Sequence, residues 1–250
     1  MRDDELARLM ADVAGERLLA VRSGGLEGSE LKAAGDAAAQ EVLARLLNEH
    51  RPGDAVLSEE AVDDPARLSA ARVWIIDPLD GTREFSERPR VDWAVHVALW
   101  QDGDLAVGAV TMPAEGVGFD TRDSRPRAEV GSQVRLAVSR SRPPAFVEQL
   151  AKELHGVLVP MGSAGVKAMS VVRGVTDAYV HAGGQYEWDS AAPVAVARAA
   201  GLHTSRIDGS PLRYNQADPY LPDLVICHPD AADQLLAAIR TQLDEVSTAP

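Results

Sequence analysis

Two aspartates, Asp77 and Asp80, lie three positions apart in the segment Asp-Pro-Leu-Asp-Gly-Thr at positions 77–82. The residues before them, 73–76, are apolar and partly β-branched, which predicts a buried strand with both carboxylates at its end. We expect this strand to stop at Asp77, because Pro78 has no N–H and restricts the residue before it. Buried carboxylates must be paired, hydrogen-bonded or bound to a metal. Hard oxygen ligands suit Mg²⁺ better than zinc, so the segment is a candidate metal and phosphate site.

Taken alone, the same six residues are also compatible with a tight surface turn. Two further acidic clusters favour the metal site. Glu59 and Glu60 close a short apolar stretch at 55–57, and their alternative interpretation is a solvated loop. Asp189 opens a helix of small residues in which Pro193 is tolerated only near the first turn, so we expect the helix to begin close to Asp189. The alternative role for Asp189 is an ordinary N-cap.

In their order and spacing, the three clusters resemble the inositol monophosphatase superfamily, whose members are metal-dependent, lithium-sensitive phosphatases. The resemblance covers residues 32–215 approximately. It implies an α/β (α+β) fold, a layered α-β-α-β-α sandwich of the inositol monophosphatase and fructose-1,6-bisphosphatase type. It also implies two or three Mg²⁺ ions per site, held by Glu59, Asp77, the Leu79 carbonyl, Asp80 and Asp189. The catalytic residues that it implies are Asp36, Glu59 and Thr82.

Two further segments distinguish the branches of this superfamily. The run from Asp80 to Phe85, with Arg and Glu after the threonine, and the segment Gly-Ser-Ala-Gly-Val-Lys at 162–167 both resemble the CysQ-type 3′(2′),5′-bisphosphate nucleotidases. By this resemblance, the residues expected to contact substrate are Gly81, Thr82, Arg83, Ser163, Lys167 and Arg213. Ser163 and Lys167 also share one face of a predicted helix, whose positive end favours an anion. An ordinary exposed lysine is the alternative for Lys167.

Two departures from the family pattern also bear on the substrate. His181 stands where inositol-specific members usually carry a glutamate that contacts inositol hydroxyls, which weakens the inositol interpretation. Before Asp36 the chain has two alanines and a glycine, where the family often has a threonine. Asp36 therefore matches the family aspartate in position but not in its immediate setting.

The resemblance implies a phosphomonoesterase that removes the 3′-phosphate of 3′-phosphoadenosine 5′-phosphate, giving AMP and phosphate, and that also acts on the sulfated form of this nucleotide. Water activated by the metals would attack phosphorus, and Thr82, oriented by Asp36, would relay its proton. Lys167 would hold the second phosphate. Two alternatives remain open: a sugar phosphatase of broader specificity acting on inositol phosphates or fructose 1,6-bisphosphate, and a non-catalytic module that binds divalent metal.

The charge balance limits the partners of the chain. Its 25 Lys and Arg against 38 Asp and Glu give a net charge of −13, which opposes binding to a nucleic acid polymer. A small phosphorylated substrate is still expected, because bound divalent cations would reverse the local field. The single cysteine, Cys227, excludes an internal disulfide and fits a reducing compartment, and its apolar neighbours predict a buried structural thiol.

The 250 residues predict one phosphatase domain over 1–250, with two lobes at about 1–125 and 133–250 that meet at the active site. A polar segment at 121–132 is predicted to be the loop between the lobes. No apolar stretch approaches the roughly 20 residues needed to cross a bilayer, and no signal-peptide core follows the start, so we expect a cytoplasmic protein without a membrane partner. A homodimer is compatible with the sequence, which leaves the oligomeric state open.

Overall fold

The apolar periodicity of the chain produces, in the part that the structure describes, two five-stranded sheets with helices between and around them. The computed structural model describes residues 1–122, 131, 133–141 and 143–248, with side chains in the last helix described to residue 243. The first half contains α1 Asp3–Arg22, α2 Gly28–His50, β1 Ala55–Ser58, β2 Arg72–Asp80, α3 Thr82–Ser86, β3 Ala94–Gln101, β4 Asp104–Met112 and β5 Val117–Asp120, with short 3₁₀ helices at Pro65–Ser69 and Pro113–Glu115. The second half contains β6 Arg135–Ser139, α4 Ala145–Glu153, β7 Val157–Met161, α5 Ala164–Val172, β8 Ala178–Tyr186, α6 Glu187–Ala199, β9 His203–Ser205, β10 Tyr220–Cys227 and α7 Pro229–Thr248.

The two sheets have different strand orders. In the first sheet the order is β1-β2-β3-β4-β5, with β1 parallel to β2 and each later pair antiparallel. The second sheet has the order β7-β6-β8-β10-β9, in which β6 is parallel to both β7 and β8, and β10 is antiparallel to both β8 and β9. The apolar alternation at 93–100 and the apolar run at 105–110 predict two strands that pair across the turn at 102–104. These strands are β3 and β4, and they pair as the expected hairpin.

Helices and sheets form five alternating layers. Because side chains alternate across a strand, β2 directs Trp74 and Ile76 to one face and Val73 and Ile75 to the other. Trp74 and Ile76 pack in the core that α1 and α2 cover. Val73 and Ile75 join the central core, where α5 and α6 lie between the first sheet and the second. The far face of the second sheet packs on α4 and α7. The α-β-α-β-α sandwich implied by the sequence is therefore confirmed.

Strand β2 is longer than the sequence predicted. It continues through Pro78 to Asp80, whereas we expected it to stop at Asp77. In the register with β3, Asp77 lies opposite His96 and Asp80 lies opposite Ala94, so three steps along β2 face two steps along β3. This bulge places Pro78 where the ladder needs no N–H, so the strand can pass through the proline.

Two helix boundaries also differ from the prediction. The apolar stripe at residues 42, 43, 46 and 47 predicts a helix over 37–47 only. Helix α2 instead begins at Gly28, because its first residues are small and pack closely on α3 without forming such a stripe. A Cβ on Gly35 would lie 2.7 Å from Phe85 Cε1. Helix α6 begins at Glu187, two residues before the expected start, and Pro193 lies inside it. The proline is tolerated there because only one hydrogen bond, to the carbonyl four residues earlier, is lost.

The apolar pattern also predicts strands at 136–138, 157–159 and 224–227 and helices at 146–154, 163–172 and about 231–243. All six are present, with ends shifted by up to five residues. The predicted inter-lobe loop at 121–132 lies mostly outside the described residues, since 123–130 and 132 are not among them. Within the described ranges, none of the helices is long and apolar enough to cross a membrane. Cys227 is a fully buried free thiol in the core under α7, which confirms its predicted burial.

Candidate metal and phosphate site

Three carboxylates from both halves of the chain meet at the interface between the layers. Asp77 and Asp80 come from the bulged end of β2, and Asp189 comes from the first turn of α6. Each offers an oxygen, and these oxygens lie within 4.8 Å of one another. Both aspartates of β2 are buried. The structure therefore brings together carboxylates that are 112 positions apart in the chain.

The surroundings of Asp77 are dominated by other acids. Its Oδ1 accepts the Leu79 N–H at 3.0 Å, and the carboxyl group of Glu59 lies beside its own. Burial, followed by the negative charges of Glu59, Asp80 and Asp189, raises the pKa of Asp77 well above its usual value. Buried carboxylates that repel one another must hold protons or a cation.

Glu59 and Asp189 complete this acidic cluster. Glu59 as a whole residue is exposed, but its carboxyl group reaches Asp77, and burial together with the charge of Asp189 raises its pKa to about 7. Burial and the charge of Asp80 raise the pKa of Asp189 to about 6. Asp189 is the third residue of α6 rather than its N-cap, but its Oδ2 accepts the Tyr186 N–H at 2.7 Å, so it caps the helix from this position as part of a capping box.

Asp80, by contrast, is surrounded by donors. Its Oδ1 accepts the N–H of Ala164 at 3.0 Å, and its Oδ2 accepts the N–H of Gly165 at 2.7 Å and the hydroxyl of Ser163. Burial opposes ionisation, but His96, Lys167 and Ser163 outweigh it and lower the pKa of Asp80 below its usual range. Asp80 is thus an anion at the N-terminus of α5. Because Oδ1 accepts one N–H, it keeps a lone pair for a metal.

Thr82 connects the metal-binding segment to α2. Gly81 has φ of 86°, in the left-handed region that favours glycine, and this turn starts α3 at Thr82. The Thr82 hydroxyl donates to the Leu79 carbonyl at 3.1 Å, and the carboxyl group of Asp36 lies close enough for the hydroxyl to favour its charged form. Burial and the charge of Glu60 raise the pKa of Asp36 to about 6. The structure therefore places Asp36 beside Thr82, and the pairing of the two residues in catalysis stays a prediction.

Of the cationic residues expected to contact substrate, only Lys167 is buried at this site. Its Nζ donates to the carbonyl of Ser163, which excludes the exposed-lysine alternative, and it lies 5.3 Å from the centroid of the Tyr179 ring. Burial lowers the pKa of Lys167. Arg83 is exposed and pairs with Glu87 at 3.0 Å. Arg213 is also exposed, beside a cavity of about 360 Å³ that it lines.

His96 belongs to the site, although the sequence analysis did not select it. It is fully buried in β3, with Nε2 3.1 Å from Asp80 Oδ2 and Nδ1 3.2 Å from the Trp188 carbonyl oxygen. Burial opposes protonation, but the negative charge of Asp80 outweighs it and raises the pKa of His96. The signal available in the sequence is a histidine inside an otherwise apolar strand. The register that places it opposite Asp77 comes from the structure.

The donor set fits the metal that the sequence analysis expects. The three converging groups offer only carboxylate oxygens, which are hard ligands suited to Mg²⁺ rather than to zinc. The raised pKa values of Asp77, Glu59 and Asp189 show a local excess of negative charge that a divalent cation would neutralise.

Comparison with known proteins decides the family. The sequence pattern of the inositol monophosphatase family matches residues 5–245. The chain belongs to the inositol monophosphatase family. A protein of Mycobacterium leprae (strain TN) named 3′-phosphoadenosine 5′-phosphate phosphatase is 52% identical over 255 aligned positions, covering 96% of this chain and 94% of that protein. The 3′(2′),5′-bisphosphate nucleotidase CysQ of Escherichia coli (strain K12) is 33% identical over 202 positions, covering 75% of this chain and 81% of that protein.

Solved structures support the same assignment. The crystal structure of CysQ from Bacteroides thetaiotaomicron, a bacterial member of the inositol monophosphatase family, superimposes with a TM-score of 0.79 at 27% identity. It covers 90% of this chain and 97% of that one. The CysQ-type branch predicted from the segment at 80–85 and from the segment at 162–167 is therefore confirmed for the chain as a whole.

Proposed function

We propose that this chain is a Mg²⁺-dependent phosphatase that removes the 3′-phosphate of 3′-phosphoadenosine 5′-phosphate to give AMP and phosphate. The observation that carries this function is the 52% identity, across nearly the whole of both chains, to a protein named for that activity. The cluster of Asp77, Asp80 and Asp189 supports it, because phosphoryl transfer needs neutralisation of the charge on the phosphate oxygens. We extend the proposal to the sulfated form of the same nucleotide.

The proposed cofactor is Mg²⁺, with two or three ions per site. Its ligands would be Glu59, Asp77, the Leu79 carbonyl, Asp80 through Oδ1, and Asp189. When bound, Mg²⁺ supplies charge neutralisation at the phosphate and lowers the pKa of a coordinated water. Glu59, Asp77 and Asp189 all have raised pKa values because they are buried close together. A bound cation would take the place of the protons that these carboxyl groups otherwise hold.

We propose that Asp36 and Thr82 move the proton of the attacking water. The Thr82 hydroxyl can accept that proton only if its own proton passes on. That hydroxyl donates to the Leu79 carbonyl in the structure, so the proposal requires it to turn to the nearby carboxyl group of Asp36, which would take the proton. A pKa of about 6 suits Asp36 to accept a proton near neutral pH. Glu59, whose carboxyl group lies beside that of Asp77, is the third proposed catalytic residue.

The proposed substrate contacts lie around the N-terminus of α5 and the turn at Gly81. The backbone amides of Gly81 and Thr82 would hold oxygens of the reacting phosphate. Ser163 and Lys167 would contact the second phosphate near the start of α5, where Lys167 supplies the positive charge because Asp80 already occupies the first amides of the helix. The two exposed arginines, Arg83 and Arg213, stay candidates for the same role.

Other expectations about the whole protein also stay proposals. We propose a single phosphatase domain over 1–250, whose lobes at about 1–125 and 133–250 meet at this site, because Asp77 and Asp80 come from one lobe and Asp189 from the other. A small phosphorylated nucleotide is the proposed partner, without a nucleic acid polymer. A cytoplasmic location and a homodimer remain predictions from the sequence.

A substrate panel tests the function directly. Phosphate release is measured with Mg²⁺ and with excess chelator on 3′-phosphoadenosine 5′-phosphate, its sulfated relative, inositol 1-phosphate and fructose 1,6-bisphosphate. We expect kcat/KM for 3′-phosphoadenosine 5′-phosphate to exceed that for the two sugar phosphates at least about tenfold, because the site must hold its second phosphate. We also expect inhibition by Li⁺ and no release in chelator. A higher kcat/KM for a sugar phosphate would select the broader sugar phosphatase instead.

A further inference from the structure

We infer that His96 is a positioning residue that fixes the metal-binding carboxylates of the two halves relative to one another. This inference rests on the proposed metal site. His96 lies directly opposite Asp77 in the β2–β3 register. Its ring has Nε2 3.1 Å from Asp80 Oδ2 and Nδ1 3.2 Å from the carbonyl oxygen of Trp188. One side chain therefore connects the end of β2 with the residue that precedes Asp189.

The burial of His96 argues against a role as simple packing. The residue is 0% exposed, in a strand whose neighbouring side chains are apolar. The charged neighbour of Nε2 is Asp80, at 3.1 Å. Nε2 nevertheless makes no hydrogen bond of good geometry to any described group. A buried polar atom without an ideal partner is unfavourable, and a leucine or phenylalanine would fill the same space without that penalty. A histidine is favoured here if its contact with Asp80 serves the site.

Gly165 supplies independent evidence for this contact. A Cβ added to Gly165 would lie 2.0 Å from His96 Nε2 and 2.9 Å from its Cε1. The Gly165 N–H also donates to Asp80 Oδ2 at 2.7 Å. Helix α5 therefore approaches the ring so closely that only glycine fits, and the same carboxylate oxygen accepts the Gly165 N–H at 2.7 Å and lies 3.1 Å from His96 Nε2 on its other side. That oxygen is then fixed, and Oδ1 is directed to the metal.

The test is Mg²⁺ affinity of the metal-stripped, full-length protein, measured by calorimetry without substrate. His96→Leu removes both polar contacts, and we expect Mg²⁺ binding to weaken about 10- to 100-fold, as for loss of groups that orient metal ligands. His96→Gln places an amide near the position of Nε2, so we expect it to restore most of the affinity. The matched control is His203→Leu, a partly buried histidine on β9 that bonds Ser205, and it should bind Mg²⁺ as the unmodified protein does.

A second pair of variants tests the contact between His96 and Gly165 by changing the glycine, first alone and then together with the histidine. Gly165→Ala should displace the ring and weaken Mg²⁺ binding to a similar extent as His96→Leu. In a His96→Ala background the added methyl group has room, so Gly165→Ala should cause little further loss. Such non-additivity is expected only if the two residues act through their mutual contact.

The outcomes separate this inference from the proposed function. A folded His96→Leu protein that binds Mg²⁺ with unchanged affinity overturns the positioning role. The role is also overturned if the losses of Mg²⁺ affinity caused by the changes at 96 and 165 simply add in the double variant. If His96→Leu does not fold, the comparison of Gly165→Ala with the double variant decides alone. Failure of the unmodified protein to hydrolyse any member of the substrate panel would refute the proposed function and leave the Mg²⁺ result standing.

Discussion

At the scale of single residues, the site contains carboxylates of two kinds. Asp80 is stabilised as an anion by Ser163 and the first amides of α5, whereas Asp77 is surrounded by other acids that disfavour its charge. Asp80 therefore has its place defined by the protein itself. Asp77 needs a proton or a cation to be stable where it lies.

The first prediction concerns Asp77→Asn. The amide keeps the shape and can still accept the Leu79 N–H, but it removes one of the repelling charges. We expect the metal-free variant to melt at the same temperature or higher than the unmodified protein, while stabilisation by Mg²⁺ and phosphatase activity are lost. Thermal melting with chelator and with Mg²⁺ measures this. The control is Asp102→Asn, in the β3–β4 turn at φ of 51°, which asparagine tolerates; equal responses of the two variants would contradict the role of Asp77.

The second prediction concerns Lys167→Met. The change removes a buried charge near the N-terminus of α5, so kcat/KM for the bisphosphate nucleotide should fall about 10- to 100-fold, the effect of losing one charge-assisted hydrogen bond. Hydrolysis of a simple monophosphate should fall less. Lys152→Met, on the exposed side of α4, is the control and should leave both rates unchanged. Equal losses on both substrates would show that Lys167 does not contact the second phosphate.

The residue types of the metal site could be predicted from the sequence, but their environments could not. Asp77, Asp80 and Asp189 were chosen from local motifs and from a family resemblance. The burial of Lys167 and the contact of His96 with Asp80 depend on how α5 packs against β3, and no local pattern specifies that packing. A lone histidine in an apolar strand is ordinarily a packed residue, so its role required the fold.

At the scale of elements, a buried polar network holds the start of α6. The carboxylate of Glu187 accepts the N–H of Asn215 at 2.6 Å and of Gln216 at 2.8 Å. Arg67, from the 3₁₀ helix, donates to Asn215 Oδ1 at 2.7 Å and to the Gln216 carbonyl at 2.9 Å. Because Asp189 follows two residues after Glu187, this network also fixes one side of the metal site.

The third prediction concerns Arg67→Met. Arg67 is 1% exposed, so its removal leaves the buried Oδ1 of Asn215 without this donor. We expect the free energy of unfolding to fall by about 3 kcal/mol, the usual effect of breaking a buried charged network. Urea unfolding measures the change. Arg45→Met breaks an exposed pair with Glu49 and should change stability by less than about 0.5 kcal/mol; similar losses in both variants would contradict the structural role of Arg67.

Periodicity predicted most helices and strands, and it failed where packing or a bulge overrides local preference. Pro78 normally ends a strand, but the register shift between Asp77 and Asp80 lets β2 continue. The first turns of α2 are rich in small residues and have no clear apolar stripe, so the sequence pattern did not predict that they are helical. The reason for the small residues is the close approach of α3, seen at Gly35. The five-layer arrangement followed from family resemblance, because strand order is not encoded in local pattern.

At the scale of the whole molecule, the acidic cluster links stability to pH. The pKa is raised to about 7 for Glu59 and to about 6 for Asp189 and Asp36, in each case mainly by burial. A raised folded-state pKa means that the folded protein holds protons which the unfolded chain has released. These groups therefore stabilise the fold fully below about pH 4, the unfolded value, and that contribution is lost as pH rises through about 6 to 7.

The fourth prediction follows from this linkage. Mg²⁺ competes with protons for the same carboxylates, so the rise in melting temperature on adding Mg²⁺ should be larger at about pH 8 than at about pH 5. Melting curves with Mg²⁺ and with chelator at both pH values measure the difference. In Glu59→Gln the dependence on pH should shrink, because one titrating member of the cluster is gone. A rise in melting temperature that is the same at both pH values would contradict proton–metal exchange.

Cys227 gives this protein an internal reporter of opening. It is the single cysteine of the chain, it is fully buried between the second sheet and α7, and burial raises its pKa to about 12. A thiol-specific dye can therefore react only when that part of the molecule transiently separates. The labelling rate of Cys227 would be compared between metal-stripped and Mg²⁺-loaded protein. A slower rate in Mg²⁺ would show that a cation held between the two halves also reduces local opening in a region remote from it.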